Sequence, residues 1–283
     1  MTVMLYPELF RRLEAARWSL ADDVPWDAHV PELLSDEQAA TVKMNAITEW
    51  AALPATEMFL RDNTDDSDFS AFMSIWFYEE QKHALALMEY LQRFRPAFAP
   101  SEEELHAVRF TFDPAPAHET LMLHYCGEVR LTGWYRRAAE WHTEPVIRRI
   151  YELLAGDEAR HAGCYMQYMK RAIDRFGDRA RYAFAKIGTL MVSRKTGRAM
   201  HPTNLHVSHD RFPNDTVQSR LPEPDWMERW LDVQIRFDES HEERVGQSIL
   251  RKLEGLFGTT FPDLHALRRY RKEIEARLAV AGP

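Results

Sequence analysis

Two long segments of this chain carry ionisable residues on helix faces that are otherwise apolar, and any fold must find partners for them. Around Glu80-x-x-His83 the face reads Met73, Trp76, Phe77, Glu80, His83, Ala84 and Leu87. Around Glu158-x-x-His161 it reads Tyr151, Leu154, Ala155, Glu158, His161, Ala162 and Tyr165. A spacing of three sets carboxylate and imidazole on one side of a helix. An ionised Glu in such surroundings is costly unless positive charge compensates it. One buried Glu–His pair is a purely structural solution. Two such pairs with two further buried Glu need more positive charge than two imidazoles supply, and a pair of metal ions supplies it.

The two further Glu are Glu49, with Val42, Ala46 and Leu53 on its face, and Glu128, with Leu121, Tyr125, Leu131 and Tyr135. Glu49 precedes Glu80 by 31 residues and Glu128 precedes Glu158 by 30, so the chain repeats itself through its polar residues. Four-helix di-iron carboxylate proteins place one Glu on each of two helices and Glu-x-x-His on the other two. A single Glu-x-x-His is weak evidence, since about one is expected by chance at this composition. The third match, Glu103-x-x-His106, lies in a Pro-flanked connection and is read as that chance occurrence.

Helical periodicity dominates and strand signals are nearly absent, which predicts an all-α fold. Ser35-x-x-Gln38 is a capping box that opens a helix to about Arg61, with Pro54 kinking it or ending its first half. Residues 63–68 form a polar break, a second helix spans about 69–94, and 96–117 is a long connection. A third helix spans about 117–141, a fourth starts at Pro145 and runs to about Phe176, and a fifth runs from Asp178 to about Arg198. Residues 201–225 contain four Pro and three His (His201, His206, His209) and read as an ordered arm or surface loop. Helices return at about 226–256 and 262–278. The expected organisation is a bundle with an N-terminal arm over 1–200, then an arm and C-terminal helices over 201–283 packing on that bundle. Trp226, Trp230, Ile235, Phe237, Leu250 and Leu253 give the C-terminal portion an apolar side.

Composition removes several alternatives. A net charge of −8 argues against binding a phosphate backbone, so no nucleic-acid partner is expected. Two cysteines, Cys126 and Cys164, cannot form a disulfide framework or a four-cysteine iron site. No signal-peptide pattern and no apolar run of membrane-spanning length is present, so a soluble, cytoplasmic protein without a membrane span is expected.

Three segments resemble the soluble acyl-carrier-protein desaturases of the ferritin-like di-iron superfamily. ITEWAALP (47–54) looks like that family's first ligand helix, including the Pro five residues after the Glu. IWFYEEQKH (75–83) and LAGDEARH (154–161) resemble its two Glu-x-x-His helices, down to the acid preceding each ligand Glu, and residues 7–26 are weakly similar to its N-terminal arm. The similarity covers about 44–170 and is absent after about 200. The resemblance implies a ferritin-like four-helix bundle with Glu49, Glu80, His83, Glu128, Glu158 and His161 as metal ligands and with Glu80 and Glu158 as bridges. It further implies two Fe ions (Mn or a mixed pair being compatible), O2 as co-substrate, an electron donor such as a ferredoxin, and a homodimer. Glu79 and Asp157 precede the ligand Glu residues and can each reach the His of the opposite motif; a solvated acidic face is the alternative. Thr132 resembles a hydroxyl residue near the oxygen-binding side of di-iron hydroxylases, or it is a helical Thr bonded to its own backbone. The desaturase pattern has its Thr one residue earlier, where this chain has Leu131. His124, one turn before Glu128, is either an additional ligand or a core residue.

The expected function is therefore an O2-dependent non-haem di-iron oxidoreductase of desaturase or monooxygenase type, acting on a fatty-acyl or other small organic substrate. The runner-up is a ferritin-like or rubrerythrin-like protein handling iron or peroxide. The long C-terminal portion disfavours a storage shell, and the cysteine count disfavours a rubrerythrin.

Overall fold

A computed structural model describes residues 4–108, 114–192 and 239–281. Among them all regular structure is helical: α1 (Tyr6–Ala16), α2 (Asp36–Glu49), α3 (Ala52–Asp62), α4 (Ser67–Phe94), α5 (Glu102–Ala107), α6 (Ala117–Trp141), α7 (Pro145–Phe176), α8 (Asp178–Val192), α9 (Glu239–Phe257) and α10 (Leu264–Ala281). No helix among the described residues is long and apolar enough to cross a membrane. The expected arm at 201–225, its three His, the end of the fifth helix beyond Val192 and residues 226–238 of the helix expected over 226–256, with Trp226, Trp230, Ile235 and Phe237, lie outside the described residues.

Local chemistry sets the ends of the principal helices. The Ser35 hydroxyl accepts from Gln38 N at 3.1 Å while Gln38 Oε1 accepts from Ser35 N at 3.0 Å, closing the capping box at the start of α2. Asp66 accepts from Phe69 N and starts α4 two residues before the expected Phe69. Pro145 opens α7, with Glu144 accepting from Ile147 N at 2.9 Å. Gly177, at φ +56°, stops α7 and lets α8 begin at once.

The helix expected over 35–61 is two helices. The break lies at Trp50 and Ala51, four residues before Pro54. A proline ring clashes with the carbonyl four residues upstream and supplies no N–H for it, and that carbonyl is Trp50's. Pro54 itself sits comfortably in the first turn of α3. Two further helices fall where none was expected: α1 in the N-terminal arm, burying Leu9 and Leu13, and α5 in the connection, opened by the Ser101–Glu104 capping box.

The packing makes two helical pairs, α2 with α4 and α6 with α7, joined where α4 meets α7. α3 lies against α4 and α6, α1 against α4, and α8 against α6 and α7. α9 packs on α8, α6 and α7, burying Leu250 and Leu253, and α10 packs on α8. Two apolar cores result. One gathers Phe59, Phe69, Phe72, Trp76, Tyr125 and Tyr165; the other gathers Tyr90, Trp134, Tyr135, Ile150, Tyr151 and Leu154. Each of the four paired helices passes from one core to the other: α2 near Ile47, α4 between Trp76 and Ala84, α6 between Val129 and Leu131, α7 between Ala155 and Ala162. The polar residues singled out in the sequence sit at those crossings.

Candidate metal centre

Glu49, Glu80, His83, Glu128, Glu158 and His161 converge in the layer between the two cores, each at most 5% exposed. They form two overlapping sets of four, Glu49–Glu80–His83–Glu158 and Glu80–Glu128–Glu158–His161, within each of which one ligand atom per residue lies within 4.8 Å of the others. Glu80 and Glu158 belong to both sets. His83 Nδ1 is 3.4 Å from Glu49, 3.7 Å from Glu80 and 3.5 Å from Glu158. His161 Nδ1 is 2.9 Å from Glu80, 3.5 Å from Glu128 and 3.9 Å from Glu158. The two imidazoles are 6.1 Å apart, centre to centre.

These groups approach one another without hydrogen-bond alignment. Nδ1 of both His, Glu49 Oε1, Glu80 Oε1, Glu128 Oε2 and both oxygens of Glu158 are buried without a hydrogen-bond partner. Each such orphan costs about 1–3 kcal/mol, a standing penalty no structural role explains. Cations placed among them would satisfy all of these atoms, and the buried Glu and His set can hold metal. Two divalent ions would also neutralise the four carboxylates.

The outer nitrogens are firmly partnered. Asp157 Oδ2 lies 3.0 Å from His83 Nε2, and Glu79 Oε2 lies 2.9 Å from His161 Nε2, each acid reaching the motif opposite its own. A carboxylate at Nε2 holds a proton there and turns Nδ1 toward the centre, where a cation would replace the second proton. Asp157 is fully buried; it also accepts from Trp18 Nε1 at 2.6 Å and is paired with Arg160. The Lys82 ammonium lies 4.3 Å over the Trp18 ring and donates to the Trp18 carbonyl at 3.1 Å. Trp76 Nε1 donates to Glu128 Oε1 at 2.8 Å.

No known family model and no curated protein matches the chain.

Without cations, protons carry the compensation. Burial raises Glu49 to about 7, against the pull of the His83 imidazole, and raises Glu158 strongly, reinforced by the neighbouring Glu80 and Glu128. His83 is raised to about 10: burial opposes its charge, but Glu80, Glu49 and Glu158 outweigh it. His161 is raised for the same reason. Burial would lift Glu80 as well, yet the two His hold it below the usual carboxylate range.

A cavity of about 30 Å³ adjoins Glu49, Glu80 and Glu128, walled by Ala51, Ala52, Ala55, Trp76, His124 and Leu131. His124 is buried there, its ring against Phe59 at 3.5 Å and edge-on to Trp76, and it belongs to neither set of four. Thr132 donates its hydroxyl to the Glu128 carbonyl at 2.7 Å and lines an outer groove instead of this cavity. On α6 the cavity is lined by His124, Glu128 and Leu131, the last at the position where the desaturase pattern has Thr. Glu103 and His106 are exposed on α5, away from the centre. Sequence reasoning missed Trp18, Lys82, Arg160 and the bond from Trp76. Trp76 carried a signal, being one turn before Glu80 on the same face; Trp18, 139 residues from Asp157, carried none.

Proposed function

We propose that the chain is an O2-dependent non-haem di-iron oxidoreductase of the desaturase or monooxygenase type, and that it belongs with the acyl-carrier-protein desaturase-like members of the ferritin-like superfamily. The observation that supports this most is the sharing of Glu80 and Glu158 between two sets of buried carboxylate and imidazole ligands. Glu49, Glu80, His83 and Glu158 would hold one ion; Glu80, Glu128, Glu158 and His161 would hold the other. When bound, a reduced iron pair supplies O2 activation and two-electron oxidation of a C–H or N–H bond.

The chain's own residues do the rest. Asp157 and Glu79 orient the imidazoles by holding a proton at each Nε2, so that Nδ1 is the nitrogen that would meet a cation once its own proton is displaced. Trp76 fixes one oxygen of Glu128 and leaves the other directed at the centre. The apolar cores on either side exclude water, which strengthens every electrostatic interaction in the layer. Ala51, Ala52 and Ala55 leave space beside Glu49 for a small reactant. The substrate would be a fatty-acyl or other small organic molecule, and electrons would come from an external donor such as a ferredoxin.

The test is O2 uptake by the chain loaded anaerobically with Fe(II), screened against acyl and amino compounds. Uptake triggered by one substrate class, with stoichiometric product, is expected. Uptake no faster with any substrate than without, in a chain shown to hold iron, would overturn the oxygenase reading.

A further inference from the structure

Between α1 and α4 the surface opens into a pocket of about 300 Å³. Leu13 and Ile75 supply apolar walls, and Phe10 and Tyr78 line it with 41% and 56% of their surface exposed. Single exposed apolar side chains are ordinary. Among the described residues, however, only three Phe, Tyr or Trp are exposed, and two of them line this one pocket. A ligand seated there would take apolar surface of both rings out of water.

The polar groups of the lining decide what kind of ligand fits. Glu14 and Arg17 are paired with each other at 2.9 Å. The Ser74 hydroxyl donates to the Ala71 carbonyl at 2.7 Å. Glu79 is different. It is 1% exposed, its Oε2 lies 2.9 Å from His161 Nε2, and its Oε1 is buried with no hydrogen-bond partner. A buried acceptor left in that state is costly. The charge of Glu79 is already met by His161, Arg160 and Lys82, so its second oxygen lacks a donor and not a cation. An anion would be repelled by both carboxylates of the lining. The volume lies at the lower end of the range for small-molecule sites, about 300–1,000 Å³, which suits one substituted ring.

We propose that this pocket binds a small neutral molecule with an aromatic or apolar body and one O–H or N–H donor, which Glu79 accepts. None of the six candidate metal ligands lines it, so the metal-free chain tests the proposal whatever becomes of the oxidoreductase reading. The test is calorimetric titration of the full, metal-free chain with p-cresol. The control is p-xylene, which has the same shape with a methyl in place of the hydroxyl. Saturable binding of p-cresol at one per chain is expected, with p-xylene weaker by about tenfold or more, because the hydroxyl meets a charged acceptor. Ser74→Trp fills the pocket from an exposed position on α4 and should abolish binding. Phe10→Ala removes one exposed ring and should weaken binding several-fold, with helical content unchanged by circular dichroism in both variants. The cavity of about 30 Å³ beside Glu49 is too small for p-cresol, so the variants report on the pocket between α1 and α4. Absence of saturable binding, equal affinity for the two compounds, or full affinity in either variant would overturn the proposal. Equal affinity would mean that apolar surface alone attracts the ligand, and full affinity in a variant would place the site elsewhere.

Discussion

The two halves of the candidate centre present the same groups but hold them differently. In the α6/α7 half, Glu128 lies mid-helix with one oxygen fixed by Trp76 Nε1. In the α2/α4 half, Glu49 is the last residue of α2, directly before the break that Pro54 imposes, and burial raises it to about 7. The outer layer is unequal in the opposite sense. The acid behind His83, Asp157, is tied to Trp18 and Arg160, whereas the acid behind His161, Glu79, has its charge balanced through His161, Arg160 and Lys82. One half has the additional contacts at its Glu and the other behind its His, so equivalent substitutions in the two halves should not be equivalent in effect.

The largest effects should come where the halves meet. Glu80→Ala or Glu158→Ala removes a residue common to both sets, and metal content after reconstitution should fall from about two ions per chain to nearly none. Elemental analysis measures this. One retained ion would mean that the two sets are independent sites.

Substitution within a half should cost one ion and separate the two Glu. Glu49→Ala and Glu128→Ala should each leave about one ion per chain. Glu128→Ala additionally strands the buried Trp76 N–H and should destabilise the metal-free chain by about 1–3 kcal/mol. Glu49→Ala removes an acid that burial already disfavours and leaves His83 with Glu80 and Glu158 beside it, and should cost less, as denaturant titration of the two variants can establish.

Smaller changes are expected from the outer layer. Asp157→Asn and Glu79→Gln should each weaken metal binding by about 10–100-fold. Asp157→Asn should have the greater effect, since it also disturbs Trp18 and Arg160. Equal losses from the two variants would remove the asymmetry argued above.

A different kind of effect is a slope in pH. His83 and Glu49 hold protons more tightly in the folded chain than the ordinary 6.5 and 4.5 would allow, titrating near 10 and 7. Their stabilisation is full below the ordinary values and is lost as pH rises through the folded ones. Metal binding displaces those protons and therefore strengthens as pH rises. The Tm of the metal-free chain should fall between about pH 5 and 9, and the increment added by Mn(II) should grow over the same interval. An increment constant with pH would mean that the cation does not replace these protons.

What could be read from the sequence followed the range of each interaction. The ends of α6 and α7 were legible because proline, a cap and helical periodicity are local signals. So was the clustering of Glu49, Glu80, His83, Glu128, Glu158 and His161, because a carboxylate on an apolar helix face demands compensation wherever it packs. The break after Glu49 was misplaced by four residues, since the sequence marks the proline and not the carbonyl it disrupts. Thr132 and Leu131 show the limit of spacing arguments. One residue along a helix is about 100° of rotation, and that decides which of them faces the cavity. The support of Asp157 by Trp18 depends on a contact across the whole bundle and has no local trace.

The central claim is that two cations share Glu80 and Glu158 between His83 and His161. Anomalous scattering from crystals of the Mn(II)- or Fe(II)-loaded chain tests it most directly. Two peaks about 3.5–4 Å apart, one beside each His Nδ1, are expected. A single peak bound by one His, or metal found only at exposed sites such as His106 on α5, would contradict it.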